Sequence, residues 1–343
     1  MDTKQFITTK TGNYSSDKFN ALINLRSNTL TAVRNILERE GFTEVLTAVL
    51  VNIAGSCENP YASFKLPYYG KEAHLSQSAQ LQLEKIVVSL NRKVYTVNNS
   101  FREESFDDPE AEGRRLSEFT LVEPEIPFAS VEDEKNLCTL IALVEKIIKE
   151  VSKSNLDKNE KALIELGGDV DYLHKCLETK FEIISYTDAI ELLNTINNKK
   201  YEIGFELSVK EERKILSHFN NIPVFILNFP HNQKLFNIKR RPNSDFTYTF
   251  DLLAPRLGEV VGGGLREENS TIILSQLVNS KVGKYLTEKK ENPKAVFEEY
   301  FNALEQQRYV PRGGFGLGFE RLIGFLINSN DILHTISYRS FSP

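Results

Sequence analysis

Few residues in this sequence are of the kinds that form disulfides or hold structural zinc. The 343 residues include five scattered histidines and three cysteines, Cys57, Cys138 and Cys176. The number of cysteines is odd and none has the spacing of metal ligands, which argues against a disulfide framework and against a zinc site. We therefore expect a reducing compartment, the cytoplasm.

Long apolar runs are missing as well. No stretch approaches about 18 consecutive apolar residues, and the N-terminus lacks a charged start followed by an apolar segment, which argues against a membrane span and a signal peptide. The formal net charge is -5 and the pI is ≈ 5.8. No overall positive field would gather nucleic acid, although a local basic strip stays open. The sequence predicts a soluble, intracellular protein.

What is present indicates a domain of mixed helices and strands. Apolar residues make up 41% of the chain, enough for a substantial core. Residues 1–18 are polar and aperiodic, and we interpret them as an arm before a domain over 19–343. Apolar positions after Asn20 have helical spacing up to Gly41, which predicts an amphipathic helix. Strands are predicted where β-branched and aromatic residues cluster, at 42–47, 94–97, 119–122 and 245–252.

The second half has a longer helical pattern and a less regular region. Apolar spacing predicts helices at 131–153, at 297–304 and, with interspersed glycines, at 315–326. We interpret 131–235 as a helical and mixed insertion lobe. In the strand at 245–252, side-chain alternation places Thr247, Thr249 and Asp251 on one polar face.

Three arginines surround a predicted strand–loop–strand. Arg102 ends one strand, Arg114 and Arg115 lie in the loop, and Phe119 begins the returning strand. Arg102 can hold one phosphate while Arg114 and Arg115 close over the outer phosphates, and Phe119 can stack on a base. The alternative is a hairpin with a solvated, charged tip.

A turn at 254–258 brings two carboxylates together. Asp251 and Glu259 lie on either side of it, and close carboxylates repel each other unless a cation lies between them. Mg²⁺ bridging ATP phosphates is one such cation. Ion pairing with Arg256 is the structural alternative.

Two glycine-rich segments follow. Residues 262–264 can let a substrate approach the backbone, with Arg266 placed to bind a carboxylate, although bulges and turns also use such glycines. The glycines at 313–318 do not have the dinucleotide-loop spacing. We expect them to begin a helix that brings Arg321 over a nucleotide, and close helix packing is the alternative.

Taken together, these segments resemble class II aminoacyl-tRNA synthetases. Residues 101–104 (FREE) with the returning strand resemble motif 2, and 313–321 (GGFGLGFER) resemble motif 3. Residues 75–84 (LSQSAQLQLE) and 251–259 (DLLAPRLGE) resemble the amino-acid loop and metal strand of the aspartyl and asparaginyl subgroup, asparaginyl enzymes above all. The match runs from about Leu25 to the C-terminus. It implies an antiparallel β-sheet flanked by helices, an α+β fold, and a homodimer.

The resemblance implies a nucleotide site for ATP and Mg²⁺. Arg102 would hold the α-phosphate, Glu104 would recognise the adenine edge and Phe119 would stack on it. Arg321 would cap the adenine. The implied metal ligands are Asp251 and Glu259. The implied catalytic residues are Arg102, Arg321 and Glu259, since in-line attack of a carboxylate on the α-phosphorus needs positioning and charge stabilisation rather than a protein nucleophile.

The resemblance also implies an amino-acid site. Glu58 and Gln80 would meet the ammonium group, and Arg266 would meet the end of the side chain. The implied substrate-binding residues also include Ser78, Glu84 and Gly263. A glutamate at the position of Glu84 is the asparaginyl pattern, because it can accept from an amide NH₂. Arg266 could offset its charge, so the choice between aspartate and asparagine stays open.

Departures from the family pattern shape the functional hypotheses. Motif 1 begins near Leu25, so we expect the N-terminal anticodon domain to be absent. Ala48 stands where a dimer-interface proline is usual, Gly264 where serine is frequent, and Arg115 where histidine is common. The segment at Ile332 replaces a usual Ile-Arg-Asp.

Three hypotheses follow. The leading one is adenylation of aspartate or a close analogue with transfer to ammonia or a small amine, as in archaeal-type asparagine synthetases. The second is a truncated synthetase that acylates tRNA or another macromolecule. The third is a silent regulator that binds an amino acid or nucleotide.

Overall fold

A computed structural model describes residues 15–104, 113–306 and 309–337. The helices are α1 Ser16–Arg39, α2 Gln80–Leu90, α3 Asp133–Leu166, α4 Val170–Glu178, α5 Tyr186–Asn197, α6 Val209–His218, α7 Ser270–Asn279, α8 Lys281–Glu288, α9 Pro293–Val296, α10 Glu298–Gln306 and α11 Phe319–Leu326. The strands are β1 Thr43–Glu44, β2 Leu50–Val51, β3 Lys65–Tyr68, β4 Lys71–Leu75, β5 Val94–Phe101, β6 Glu118–Pro127, β7 Glu182–Ser185, β8 Val224–Leu227, β9 Thr249–Ala254, β10 Gly258–Arg266 and β11 Arg312–Gly318.

Helix α1 begins earlier than its apolar pattern. The pattern predicts a start at Asn20, but the helix starts at Ser16, because the side chain of Ser15 caps it by accepting from the backbone of Lys18. After its last turn Gly41 has φ +84°, a conformation that favours glycine. Most of the predicted arm, residues 1–14, lies outside the described residues.

A mainly antiparallel sheet organises the described chain. The order of its eight strands is β1-β5-β6-β11-β10-β9-β8-β7, with parallel pairs only at the two edges, and a second sheet has the order β2-β4-β3. The predicted α+β fold with helices beside an antiparallel sheet is confirmed. No helix among the described residues is long and apolar enough to span a bilayer.

The two faces of the large sheet have different roles. On β6, Val122 and Ile126 join a core with the apolar faces of α1 and α3, whereas Phe119 and Glu123 point to an open cleft. Alternation with period two produces this division. The same alternation was predicted for β9, where Thr249 and Asp251 line the cleft and Phe250 lies in the core.

The segment 131–235 is continuous with this architecture. Helix α3 packs against α1, and its apolar stripe lies in the main core. Strands β7 and β8 extend the large sheet, with β8 paired to β9. The segment's charge-rich pattern comes from amphipathic helices such as α6, which buries Ile215 and Leu216 but exposes its other face.

The predicted glycine-spaced helix at 315–326 is wrong in its first part. Residues 312–318 form strand β11, and the helix starts only at Phe319. β11 runs between β6 and β10, where a Cβ on Gly314 would lie 2.3 Å from the carbonyl oxygen of Pro124. Gly314 therefore allows close strand contact and does not thin a helix start.

Candidate functional site

A cleft of ≈ 890 Å³ lies on the open face of the large sheet. With one exception, Glu84, all of the site residues predicted from the sequence line it. They are Glu58, Ser78, Gln80, Arg102, Glu104, Arg114, Arg115, Phe119, Asp251, Glu259, Gly263, Arg266 and Arg321. Residues separated by more than 260 positions in the chain thus meet in one site.

Arg102 lies at the centre of the cleft and already has a carboxylate partner. It follows β5, and its guanidinium forms an ion pair with Glu58. Its guanidinium carbon lies 5.3 Å from the centre of the Phe119 ring. Burial lowers the pKa of Arg102, and its Nε has no hydrogen-bond partner. An anion in the cleft would supply the missing acceptor.

Arg114 is held against the cleft wall, whereas Arg115 is exposed. Arg114 donates through Nη2 to Glu212 Oε2 at 3.1 Å and to the carbonyl of Leu257 at 3.0 Å. Arg115 donates to Glu104 at 3.3 Å. Glu212, on α6, is mostly buried, and this burial raises its pKa to about 7. Both arginines thus lie on the cleft wall beside carboxylates.

Asp251 and Glu259 converge above Gly262. A Cβ on Gly262 would lie 2.7 Å from Oε1 of Glu259 and 3.2 Å from Oδ1 of Asp251. Burial raises the pKa of Asp251 to about 6, although a lysine ammonium beside it acts in the opposite direction. Two neighbouring carboxylates on the cleft lining fit Mg²⁺, which usually takes one or two carboxylates, waters and substrate phosphates. Within 15–104, 113–306 and 309–337, no group of three or more His, Cys, Asp or Glu side chains could hold a metal.

The cations that pair with Asp251 and Glu259 do not include Arg256, the ion-pair partner considered from the sequence. Arg256 donates to Asn328 at 2.7 Å. Instead, Lys234 Nζ lies 2.7 Å from both carboxylate oxygens of Asp251. Arg321 lies 3.8 Å from Glu259 Oε2 and also donates to the Glu259 carbonyl. Asp251 and Glu259 therefore do form ion pairs, but with Lys234 and Arg321 and not with Arg256.

The glycines of β10 are needed for packing within the protein. A Cβ on Gly263 would lie 2.5 Å from Cβ of Phe315, and one on Gly264 would lie 2.5 Å from the carbonyl of Tyr248. Gly262 and Gly263 line the cleft, and Gly264 does not. The glycine at 264, where the family pattern often has serine, thus fits the close approach of β9.

The far end of the cleft is polar and buried. Glu123 accepts from the Ser78 hydroxyl and, at 2.9 Å, from the backbone of Ala79. Two residues further along β6, Glu125 pairs with Arg266, whose Nε donates to Oε1 at 3.2 Å. Burial raises the pKa of Glu123, and burial raises that of Glu125 to about 7.

Glu84 differs from its predicted placement. It is completely buried beneath the cleft instead of lining it. One of its oxygens accepts from Tyr300 and Arg312, both at 3.0 Å, and the other accepts from Gln80 at 3.2 Å and from Asn237. Protein donors therefore already satisfy this carboxylate, and it supports Gln80, which does line the cleft.

Sequence reasoning missed several residues of the cleft and its wall, among them Glu123, Glu125, Glu212 and Lys234. The two β6 glutamates could have been found, because they alternate with period two from Phe119. Glu212 and Lys234 lie in the region without a clear pattern, and only the tertiary structure brings them to the cleft.

Comparisons with known proteins agree with this geometry. Residues 7–341 match the family described as tRNA synthetases class II (D, K and N). An asparagine–tRNA ligase of Mycoplasma capricolum subsp. capricolum is 29% identical over 338 residues, which cover 93% of this chain and 70% of the relative. A probable mitochondrial asparagine–tRNA ligase of Dictyostelium discoideum is also 29% identical, over 92% of this chain and 68% of the relative.

A solved structure gives the same result. The asparaginyl-tRNA synthetase of Pyrococcus horikoshii, complexed with asparaginyl-adenylate, superimposes with a TM-score of 0.81 at 30% identity. The likeness covers 94% of this chain and 68% of that one. The predicted resemblance to the aspartyl and asparaginyl subgroup is confirmed, and the chain belongs to the class II tRNA synthetases of the D, K and N type, as an ATP-dependent, synthetase-like ligase.

Proposed function

We propose that this protein activates asparagine with ATP, forming asparaginyl adenylate and pyrophosphate, and then transfers the asparaginyl group to tRNA. The observation that carries the proposal is the continuity of one cleft. Arg102, Arg321 and the Asp251–Glu259 pair lie along it, and a buried polar end begins at Glu123. Such a cleft can hold a nucleotide and a small amino acid end to end.

The charges at the buried end favour an amide over a second carboxylate. Three glutamates, Glu84, Glu123 and Glu125, lie there with two arginines, Arg266 and Arg312. With all five ionised the sum is one negative charge, and protonation of Glu125 would bring it only to zero. A β-carboxylate would add another negative charge to this buried cluster, whereas an amide can donate to Glu123 and accept from Arg266.

The chain's own side chains would position the reaction. Arg102 would bind the α-phosphate and Glu58 the ammonium of the amino acid, so that the carboxylate faces the α-phosphorus. Arg114 and Arg115 would neutralise charge on the outer phosphates, and Arg321 would cap the adenine. Asp251 and Glu259 would hold Mg²⁺, which supplies charge neutralisation at the phosphates when bound.

The acceptor is proposed from the relatives. The relatives described above are named for charging tRNA, which favours tRNA over the ammonia transfer that the sequence led us to expect. We also propose a homodimer, because Leu46 is 94% and Leu50 47% exposed on either side of Ala48. The cytoplasmic location stays a prediction, since one relative is named as mitochondrial.

The testing experiment separates activation from transfer. ATP–pyrophosphate exchange is measured with asparagine and with aspartate, and AMP release is then followed with and without bulk tRNA and with and without ammonium. We expect asparagine-dependent exchange and tRNA-dependent release of AMP. Asp251→Ala is the control and should abolish the exchange.

Two results would overturn the proposal. Formation of asparagine from aspartate and ammonium without tRNA would establish ammonia as the acceptor instead. Absence of exchange with both amino acids would refute asparagine activation itself.

A further inference from the structure

Lys234 holds one of the two proposed metal ligands. It follows a short turn at His231–Gln233 and lines the cleft. Its ammonium is 2.7 Å from Oδ1 and 2.7 Å from Oδ2 of Asp251, and 3.9 Å from the centre of the Phe229 ring. Both side chains of this ion pair are mostly buried. The ammonium therefore occupies the face of the carboxylate between its two oxygens.

An ammonium in this position competes with a metal ion for Asp251. A divalent ion on the same carboxylate would lie within a few ångström of the lysine charge, in a site with little water to screen the repulsion. The second proposed metal ligand, Glu259, lies 3.8 Å from Arg321. A metal ion would therefore meet a positively charged side chain beside each of its two carboxylate ligands. The repulsion favours displacement of Lys234 when a metal binds Asp251.

ATP provides the place to which Lys234 can move. Its phosphates would enter the same part of the cleft with their metal, and a lysine is a compact point charge on a flexible four-carbon stem. A small rotation would exchange a carboxylate oxygen for a phosphate oxygen. The ion pair would be lost, but the positive charge would remain within the cleft.

We propose that Lys234 is an exchangeable counter-cation. It neutralises Asp251 while the site has no nucleotide, and it transfers to the phosphate oxygens of ATP when the metal takes its place on Asp251. The inference rests on the proposed function, since it requires that ATP and Mg²⁺ bind in this cleft. It adds a role for a residue that the sequence analysis did not single out.

Lys284 offers a matched control in the same cleft. It also lines the cleft, on α8, and it is exposed. Within the described residues it has no ion pair with a carboxylate. Replacing Lys284 by methionine removes one positive charge from the cleft without releasing Asp251.

The experiment measures two affinities of Lys234→Met that should change in opposite directions. Mn²⁺, used as the probe of the metal site, is titrated by electron paramagnetic resonance without nucleotide, and a non-hydrolysable ATP analogue is titrated separately in the presence of Mg²⁺. We expect Mn²⁺ to bind about tenfold more tightly and the analogue about tenfold more weakly than in the wild type. Lys284→Met should leave Mn²⁺ affinity unchanged.

Further variants make the result decisive. Lys234→Arg keeps the positive charge and should stay close to the wild type in both titrations, and circular dichroism verifies that each variant is folded. Mn²⁺ affinity that falls or stays unchanged in folded Lys234→Met would overturn the inference, even with ATP binding intact. A wild type that binds no ATP analogue would instead refute the proposed function, and this inference with it.

Discussion

Arg102 and Glu58 form an ion pair with each other inside the cleft, although the two are expected to bind different substrates. Arg102 is the proposed partner of the ATP α-phosphate, and Glu58 is the proposed partner of the amino-acid ammonium. Either substrate must open this pair, and opening it for one releases the binding group for the other. The two substrates should therefore assist each other's binding.

Glu58→Gln tests this coupling. The variant frees Arg102 but removes the charge that meets the ammonium. Affinity for a non-hydrolysable ATP analogue should rise severalfold, and affinity for asparagine should fall about 10- to 100-fold, as expected for the loss of a charged hydrogen bond. Isothermal titration with each ligand alone measures both. Glu288→Gln, at an exposed position on α8, is the control, and equal losses of both affinities would contradict the coupling.

Glu212→Gln should change how stability depends on pH. Burial raises the pKa of Glu212 to about 7, above the value of about 4.3 in an unfolded chain. A carboxyl whose pKa is higher in the folded state contributes stability at pH values below its unfolded-state pKa. This contribution is lost as the pH rises towards 7. The free energy of unfolding of the wild type relative to Glu212→Gln should thus fall between pH 5 and pH 8, by on the order of 2 kcal/mol. Urea unfolding at both pH values measures it, and a pH-independent difference would contradict the raised pKa.

Gly263→Ala should destabilise the protein. Its new Cβ would lie 2.5 Å from Cβ of Phe315 and 2.6 Å from the carbonyl of Gly314, and such overpacking costs about 1–3 kcal/mol or more. Gly316→Ala, on the neighbouring strand, is the matched control because its Cβ would meet no atom within 4 Å. Urea unfolding should separate the two variants, and equal stabilities would show that β10 can move away from β11.

Leu46→Glu should dissociate the proposed homodimer. Leu46 is almost fully exposed beside β1, at one edge of the large sheet, and a charge there would be buried without a partner in an interface between copies. Light scattering after size-exclusion chromatography measures the mass. Ile183→Glu, on β7 at the opposite edge, should leave the dimer intact. A wild-type monomer would contradict the proposal directly.

Ala48 occupies the position at which the family pattern usually has a proline. Its backbone N–H donates to Gln82 at 2.8 Å, and its carbonyl accepts from Gln82 at 3.0 Å. A proline has no N–H and could not make the first bond. Gln82 thus fixes the segment between the two exposed leucines in this chain.

The sequence by itself determined the class of fold and placed all but one of its candidate site residues, Glu84, on the cleft lining. Ordered motifs and alternation sufficed, because residues on one face of a strand, such as Thr249 and Asp251, point the same way wherever the strand lies. The glycines of β11 misled the helical prediction. Glycine spacing does not distinguish a helix start from a strand whose neighbours approach closely, and contacts such as that of Gly314 with Pro124 exist only across the sheet.

The tertiary structure alone decided which charges meet. Lys234 reaches Asp251 and Glu212 reaches Arg114 from segments without a recognisable pattern, and Arg312 holds Glu84 beneath the cleft from the far end of the chain. Such pairings depend on the distance between side chains after folding, which neither composition nor local periodicity contains. Burial is the second property that the sequence does not contain. It raises the pKa of Asp251 and of Glu212 because folding excludes water from these carboxyl groups.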